Sequence, residues 1–319
     1  MSGVPQGSVL GPNLFNIYIN DMFYLFTNTN ICNIADDTTL FACDVDLHTL
    51  LSNLENDTMS AIIWFELNYM KLNQDKCHFL ISGNTPEHLW AKVGEHVIWE
   101  SKQEKLLGLT IDKNLNFNAH LAILCKKASV KVTVLSRLTK LVPFEKKRLL
   151  MKSFIESQFS YCPLIWMFCS REMNRKINYI HERALRLVYH NYTNSFNDLL
   201  IRDKSVCIHQ RNIQKVAIEM FRVKENMCPK EFQKLFCKNT NARSKTYFQR
   251  PNVNKVFKGE YSLRYFGPIV WDSMVPENLK EILTLEEFKS KISTWIPTNC
   301  RCRLCKEYLP NLGFVTIFE

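Results

Sequence analysis

Two adjacent carboxylates, Asp36 and Asp37, lie in the run Ile31-Cys-Asn-Ile-Ala-Asp-Asp-Thr-Thr-Leu-Phe-Ala42. Apolar residues flank them on both sides, as in two short strands joined by a tight turn with the acids at its tip. Two neighbouring negative charges repel, and a bound cation offsets that repulsion most simply. Hard oxygen donors of this kind suit Mg2+, which takes one or two carboxylates together with substrate phosphates. A solvated Asp-Asp turn is the competing reading, because aspartate caps local backbone groups in turns at little cost.

Upstream, residues 3–12 read Gly-Val-Pro-Gln-Gly-Ser-Val-Leu-Gly-Pro. Gly7 and Gly11 permit close backbone approach, and Pro12 suits the first turn of a helix. Leu14, Phe15, Tyr18, Ile19, Met22 and Phe26 follow at helical spacing. A glycine-rich loop opening a buried helix, ahead of a carboxylate hairpin, makes a platform for a nucleotide and a metal ion.

A second group with metal-like spacing stands near the C-terminus: Cys300, Cys302 and Cys305, with Arg301 and Arg303 beside them to favour thiolates. A structural zinc takes four ligands, and no Cys or His occurs after Cys305. A fourth ligand has to come through the fold, with His190 or Cys237 as candidates; free thiols on a terminal tail are the alternative. The eight histidines are dispersed, with no His-Glu-x-x-His run and no Walker-type glycine loop. Ser8 follows a glycine without forming a nucleophile elbow.

The elements that must position these groups follow from periodicity. Residues 46–69 predict a long helix, with Asp46 as its cap and Leu47, Leu50, Leu51, Leu54, Ile62 and Phe65 as its apolar stripe. Residues 77–81 and 97–99 read as strands with turn chemistry between them, and 106–111 as another strand ending in an Asp112-Lys-Asn114 turn. From residue 118 the pattern turns helical. Residues 118–141 carry Leu121, Leu124, Ala128, Val132, Leu135 and Leu138 on one side. Lys126, Lys127, Lys131, Arg137 and Lys140 fall largely elsewhere, either as a solvated face or as a face for a nucleic-acid backbone. Residues 144–168 and 171–189 read as helices, with Pro143 marking a break and Pro163 a kink. The second of them bears Arg171, Arg175, Lys176, Arg183 and Arg186. Residues 205–225 read as one more basic amphipathic helix. The stretch 238–258 interleaves Tyr247 and Phe248 with Arg243, Lys245, Arg250, Lys255 and Lys258. Such a stretch either stacks on exposed bases or serves as a linker with a few anchoring aromatics, the reading favoured here. An aromatic cluster over 261–271 and a closing helix over 285–295 complete the chain.

Composition sets outer limits. The 319 residues, 46% hydrophobic, can bury a real core, in two domains on length alone. A net charge of +10 favours polyanionic partners such as RNA or DNA, though an acidic protein partner or simple solubility fits as well. The twelve cysteines lack the spacing of a secreted disulfide scaffold. Cys32, Cys77 and Cys125 lie in apolar runs that predict buried thiols, which fits a reducing, intracellular setting, nuclear or cytoplasmic. No apolar run reaches the length of a membrane span.

Taken together, Gly3-Val-Pro-Gln-Gly-Ser-Val-Leu-Gly-Pro12 and Ala35-Asp-Asp37 resemble motifs B and C of reverse transcriptases, above all those of LINE-type (non-long-terminal-repeat) retrotransposons. Trp64-Phe65 through Leu72-Asn73, with Lys76, resembles motif D. Leu107-Gly108-Leu-Thr-Ile-Asp112 resembles motif E, at the palm–thumb junction. Tyr161-Cys-Pro-Leu-Ile-Trp166, Glu182-Arg-Ala-Leu-Arg186 and the terminal Cys-x-Cys-x-x-Cys resemble the thumb and later regions of the same elements. Ile34 stands where the family usually has an aromatic residue, and it can fill the same slot.

The resemblance implies an α+β fold: a partial polymerase palm with an incomplete antiparallel sheet, then a mostly helical thumb and C-terminal region. Its expected divisions are palm 1–113, helical thumb and post-thumb 114–236, and a basic C-terminal region with the cysteine cluster, 237–319. It implies RNA-directed DNA polymerase chemistry on an RNA template, a DNA primer and deoxynucleoside triphosphates. Asp36 and Asp37 would hold Mg2+ or Mn2+, with Lys76 as proton donor to the leaving pyrophosphate. Pro5, Gln6, Gly7 and Ser8 would line the nucleotide and template site, and Leu107 and Gly108 would shape the primer grip. The family's first metal-binding aspartate belongs to motif A, upstream of motif B, and only two residues precede Gly3. The expectation is therefore a truncated copy, inactive alone, or a non-catalytic RNA- or DNA-binding remnant of a retroelement, or a relic with no selected role.

Overall fold

The helix over Leu47–Leu67 (α2) organises the N-terminal part of the chain. Asp46 starts it by accepting the Thr49 N–H at 2.8 Å, the bond a capping aspartate supplies. The computed structural model describes residues 7–300 apart from 84, 87, 242–243, 254–258 and 298–299. Those residues divide into two compact units with the boundary between Leu115 and Asn116.

In the first unit a short helix α1 (Gly11–Tyr18) and a 3-10 turn (Asn20–Tyr24) precede the hairpin β1 (Asn30–Ile34) and β2 (Asp37–Phe41), and α2 follows. Two further antiparallel hairpins come next: β3 (Trp90–Val93) with β4 (His96–Trp99), and β5 (Gln103–Leu106) with β6 (Leu109–Asp112). The two ends of α2 are apolar for different partners. Its first turns present Leu47, Leu50, Leu51 and Leu54 to a cluster of Phe79, Ile81 and Ala91. Its last turns place Trp64 against Ile19 and Met22, with Phe15, Phe26, Ile31 and Phe65 packed around them. The Trp64 indole N–H donates to Asp21 Oδ1 at 3.1 Å, which satisfies the one polar atom of that ring.

The second unit is helical: α3 (Asn118–Leu138), α4 (Phe144–Leu150), α5 (Pro163–Trp166), α6 (Arg171–Tyr189), α7 (Phe196–Asp203), α8 (Ile208–Lys224), α9 (Lys230–Gln233), α10 (Leu263–Ile269), α11 (Glu277–Lys280) and α12 (Leu285–Thr294). The α3 helix packs along α6, and α8 lies among α5, α6, α10 and α12. Phe221 of α8 stacks on Phe288 of α12 with centroids 4.5 Å apart, and Trp271 completes that cluster. The ends are well signalled: Ser170 and Ser195 cap α6 and α7, and Ser195 forms a full capping box with Asp198.

Two buried ionic knots hold the second unit. Glu156, on a 3-10 turn (Glu156–Phe159), accepts from His181 Nε2 of α6 at 3.2 Å and from Arg211 Nη1 of α8 at 2.7 Å. Burial alone would raise its pKa, but His181 and Arg211 outweigh burial and hold it at about 2. Asp203, at the end of α7, takes Arg148 Nε at 2.7 Å and the Tyr189 hydroxyl at 2.8 Å on Oδ1. Burial first, and then Asp203, push the Tyr189 phenol up to about 12.

The structure revises several readings of the sequence. Residues 106–111 are not one strand. Leu107 and Gly108, at φ 47° and 84°, form a two-residue turn between β5 and β6, as a primed hairpin turn requires. Residues 77–81 make only an isolated bridge, Phe79 to Glu100, and 97–99 pairs instead with β3. The sheet is three separate hairpins. Residues 144–168 break into α4, a π-turn (Met151–Ile155), the 3-10 turn and α5, with Pro163 opening α5 rather than kinking a longer helix. The helix read over 205–225 is α8, and it is largely buried: Arg211 is committed to Glu156, and Lys215 donates to the Ser160 carbonyl at 3.2 Å. Cys125 is buried as expected, but Cys32 is exposed because its side of β1 faces outward.

Candidate active-site hairpin

The β1–β2 ladder runs from Asn30 opposite Phe41 to Ile34 opposite Asp37. That register leaves Ala35 and Asp36 as a two-residue turn, with Asp37 the first residue after it. The Asn33 side-chain amide donates to Thr38 Oγ1 at 2.7 Å across the ladder. Ala35 sits at φ 55°, a left-handed conformation that costs an L-residue roughly 1–2 kcal/mol. Backbone strain of that kind is kept where the surroundings over-determine it. Here it falls immediately before the exposed carboxylate at the tip.

Two anchors aim the hairpin. Ile31 enters the apolar cluster with Met22 and Trp64. Asp57, on the middle of α2 and 3% exposed, accepts the backbone N–H of Thr29 at 2.7 Å and of Asn28 at 3.0 Å. Burial works against its charged form, yet these donors prevail and hold its pKa below the ordinary aspartate value. Thus a carboxylate on α2 fixes the two residues that lead into β1. Asp57 is hard to recognise in the sequence, because an aspartate in a helix reads as a solvent residue. Its one signal is its place between the apolar positions Leu54 and Ala61.

Asp36 and Asp37 are both exposed. Neither carboxylate has a hydrogen bond or ion pair among the described residues, so their oxygens are open to a cation, as hard-ligand chemistry needs. Among the described residues no group of three His, Cys, Asp or Glu side chains comes together. The remaining predicted residues are distributed as follows. Gly7, at φ 84°, has open space around its Cα. Ser8 Oγ accepts the Gly11 N–H at 3.1 Å, a local bond at the start of α1. Pro5 and Gln6 lie outside the described residues. Lys76 is exposed on a 3-10 turn (Gln74–Lys76) beyond α2. Leu107 and Gly108 occupy the tip of their own hairpin. Packing on α2 joins the segment after Ser8 to the Asp36 hairpin, whereas Lys76 and the Leu107–Gly108 turn belong to separate elements.

In the second unit, Lys126, Lys127, Arg137 and Lys140 are exposed on or beside α3 and form no ion pair among the described residues. On α6, by contrast, Lys176 pairs with Glu172 at 2.7 Å, Arg186 with Glu182 at 2.5 Å, and Arg183 lies over the Tyr179 ring. In the 238–258 stretch, Phe248 is 1% exposed and packs on Phe236, so it anchors the segment and is not a platform for bases. Arg243, Lys255 and Lys258 lie outside the described residues.

Residues 1–111 match the family model described as reverse transcriptase (RNA-dependent DNA polymerase). The N-terminal segment of the chain is thus similar to reverse transcriptases. The chain is 25% identical over 203 residues to the RNA-directed DNA polymerase from mobile element jockey of Drosophila melanogaster, covering 59% of this chain and 22% of that protein. It is 25% identical over 206 residues to the probable RNA-directed DNA polymerase from transposon X-element of the same organism, with the same coverage. A third relative, from transposon BS, is 23% identical over 201 residues. The chain thus spans about a fifth of the length of these curated relatives. No solved structure gives a significant match. The Ala35–Asp36 turn lies within the matched segment, and the mixed helix and hairpin content agrees with the α+β class. Among the described residues no helix is long and apolar enough to cross a membrane.

Proposed function

We propose that the chain is the part of a retrotransposon RNA-directed DNA polymerase that carries the catalytic hairpin and the region after it. Residues 1–113 correspond in this reading to palm, 114–236 to thumb, and 237–319 to a basic C-terminal region. The observation that carries the reading is the two-residue turn at Ala35–Asp36, with two open carboxylates, inside the segment that matches the reverse transcriptase model.

Asp36, at the turn, is the primary metal ligand and Asp37 its neighbour. Mg2+ or Mn2+ held there would neutralise charge on the triphosphate during in-line transfer. The chain's own residues supply the rest. Gly7 and Ser8, with Pro5 and Gln6 before them, line the nucleotide and template site. Lys76, exposed and carrying no ion pair among the described residues, would give a proton to departing pyrophosphate. Leu107 and Gly108 support the primer strand. The unpaired cations of α3 follow the phosphate backbone of an RNA template and DNA primer.

The same α3 face supports the second reading, a non-catalytic RNA- or DNA-binding remnant. Binding would then be salt-sensitive and indifferent to divalent metal. A metal titration separates the two. Under the polymerase reading, Mn2+ added to isotopically labelled chain broadens the amide signals of residues 34–38 first, ahead of the Asp44–Asp46 segment, and Asp36→Ala removes that preference. Broadening that favours other acidic segments, or that is unchanged in Asp36→Ala, contradicts it.

A further inference from the structure

Away from the hairpin, chemistry-bearing side chains meet at two places in the second unit. At the end of the described chain Cys300 Sγ lies 3.9 Å from His209 Nε2, and both residues are buried. Cys302 and Cys305 lie outside the described residues. Of the two residues expected to complete a zinc site with them, His190 is engaged by Lys147 and Cys237 is exposed. The second place is a cavity of about 530 Å³, lined by Phe144 and Arg148 of α4, Tyr189 at the end of α6, and Arg202, Asp203 and Lys204 where α7 ends.

The charge lining this cavity is unbalanced. Asp203 is its one carboxylate, and Oδ1 takes both the Arg148 guanidinium at 2.7 Å and the Tyr189 hydroxyl at 2.8 Å. Its Oδ2 is buried and accepts no hydrogen bond among the described residues, so Asp203 holds neither Arg202 nor Lys204. Both of those cations are exposed and form no ion pair among the described residues. The Arg202 guanidinium carbon rests 4.8 Å from the centroid of the Tyr189 ring, a contact that positions the group without using its N–H donors. Lys204 stands at φ 52°, in the left-handed position after a helix that glycine fills without strain. A cation is thus kept at the mouth of the cavity at a cost to the backbone.

Phe144 supplies an apolar wall. Its ring meets that of Tyr189 edge to face with centroids 5.2 Å apart, and it remains 42% exposed. An open aromatic ring beside two uncompensated cations matches a base next to its phosphate. An acidic peptide has no use for the ring. A duplex cannot reach it with its bases closed in the stack, whereas a strand with unpaired bases can.

We propose that this cavity binds single-stranded nucleic acid, with Arg202 and Lys204 on a phosphate and one base stacked on Phe144. It contains no residue of the Asp36 hairpin and no cation of α3, and it needs no divalent metal. It is therefore independent of the polymerase reading.

The test is fluorescence anisotropy of a fluorescein-labelled strand of about 12 uridines, titrated with the full chain in EDTA. Phe144→Ala is expected to weaken binding at least about fivefold, the least that one stacked base is worth. Phe144→Trp, which keeps a platform, is expected to retain it. Lys204→Gly relieves the left-handed backbone, so it is expected to melt no lower than the parent chain. The same variant is expected to bind more weakly and to lower the slope of log Kd against log salt by about one. Lys289→Ala removes an equal charge from an exposed position on α12 and is expected to leave binding unchanged. With iodouridine in the strand, ultraviolet crosslinks are expected in the tryptic peptide 141–146, which carries Phe144. Equal losses in Lys204→Gly and Lys289→Ala would show binding by net charge alone and overturn the proposal. So would a loss under about fivefold in folded Phe144→Ala, or crosslinks confined to other peptides. Displacement of the strand by free uridine monophosphate at equal nucleotide concentration would assign the cavity to a free nucleotide and overturn it as well.

Discussion

A polypeptide of these 319 residues is expected to give no detectable extension of a DNA primer on an RNA template in Mg2+, and Asp36→Ala is expected to change nothing. In-line phosphoryl transfer by two ions requires carboxylates that grip both. The hairpin offers Asp36 and Asp37, adjacent in the chain and both exposed, and one such pair does not enclose two ions. Loss of a metal clamp forfeits several kcal/mol of transition-state stabilisation, at least about a thousandfold in rate. Primer extension read on a gel checks this. Robust extension by this polypeptide, abolished by Asp36→Ala, would show that the ions are held without a further acid.

The largest effect on stability is expected at Glu156. Its carboxylate joins the 3-10 turn to α6 and α8 through His181 and Arg211, all within the second unit. Glu156→Ala leaves a buried histidine and an arginine without their counter-charge, and breaking one side of a buried pair costs about 3–5 kcal/mol. For a unit of this size that lowers the melting temperature by roughly 6–20 °C. Urea or thermal unfolding of the full chain measures it, and a loss under about 1 kcal/mol would show that solvent or a neighbour replaces the carboxylate. The pH dependence has a definite sign. The folded pKa of about 2 lies below the ordinary glutamate value of 4.5, so the contribution is complete above about 4.5. It is lost as pH falls towards 2, where the folded carboxylate takes up its proton. Glu156→Ala therefore flattens the acid limb of the stability curve.

These two sites differ in how far the sequence discloses them. The Asp36 hairpin is legible because strand alternation and a two-residue turn are local signals. The helices α2 and α3 are legible through their apolar stripes, and α2 through its cap Asp46 as well. Glu156 is not, because its partners lie 25 and 55 residues away and only the packed bundle brings them together. The contact of His209 with Cys300 spans 91 residues and is hidden for the same reason. The turn at Leu107–Gly108 escapes because leucine is not a turn residue; there the hairpin register imposes a left-handed leucine. The α8 helix reads as a basic amphipathic helix, and Arg211 and Lys215 contribute to that charge. In the fold that charge is directed inward, to Glu156 and to the Ser160 carbonyl.

The hairpin's role is most directly examined by moving it. Residues 30–41 pair with one another as a single ladder and can be grafted over the catalytic carboxylate segment of an active reverse transcriptase. The transplanted enzyme is predicted to extend primers within about tenfold of its parent and to lose at least about a thousandfold on Asp36→Ala. A folded transplant that extends primers equally with and without Asp36, or one that does not extend them at all, would contradict the assignment of this turn as a catalytic carboxylate hairpin.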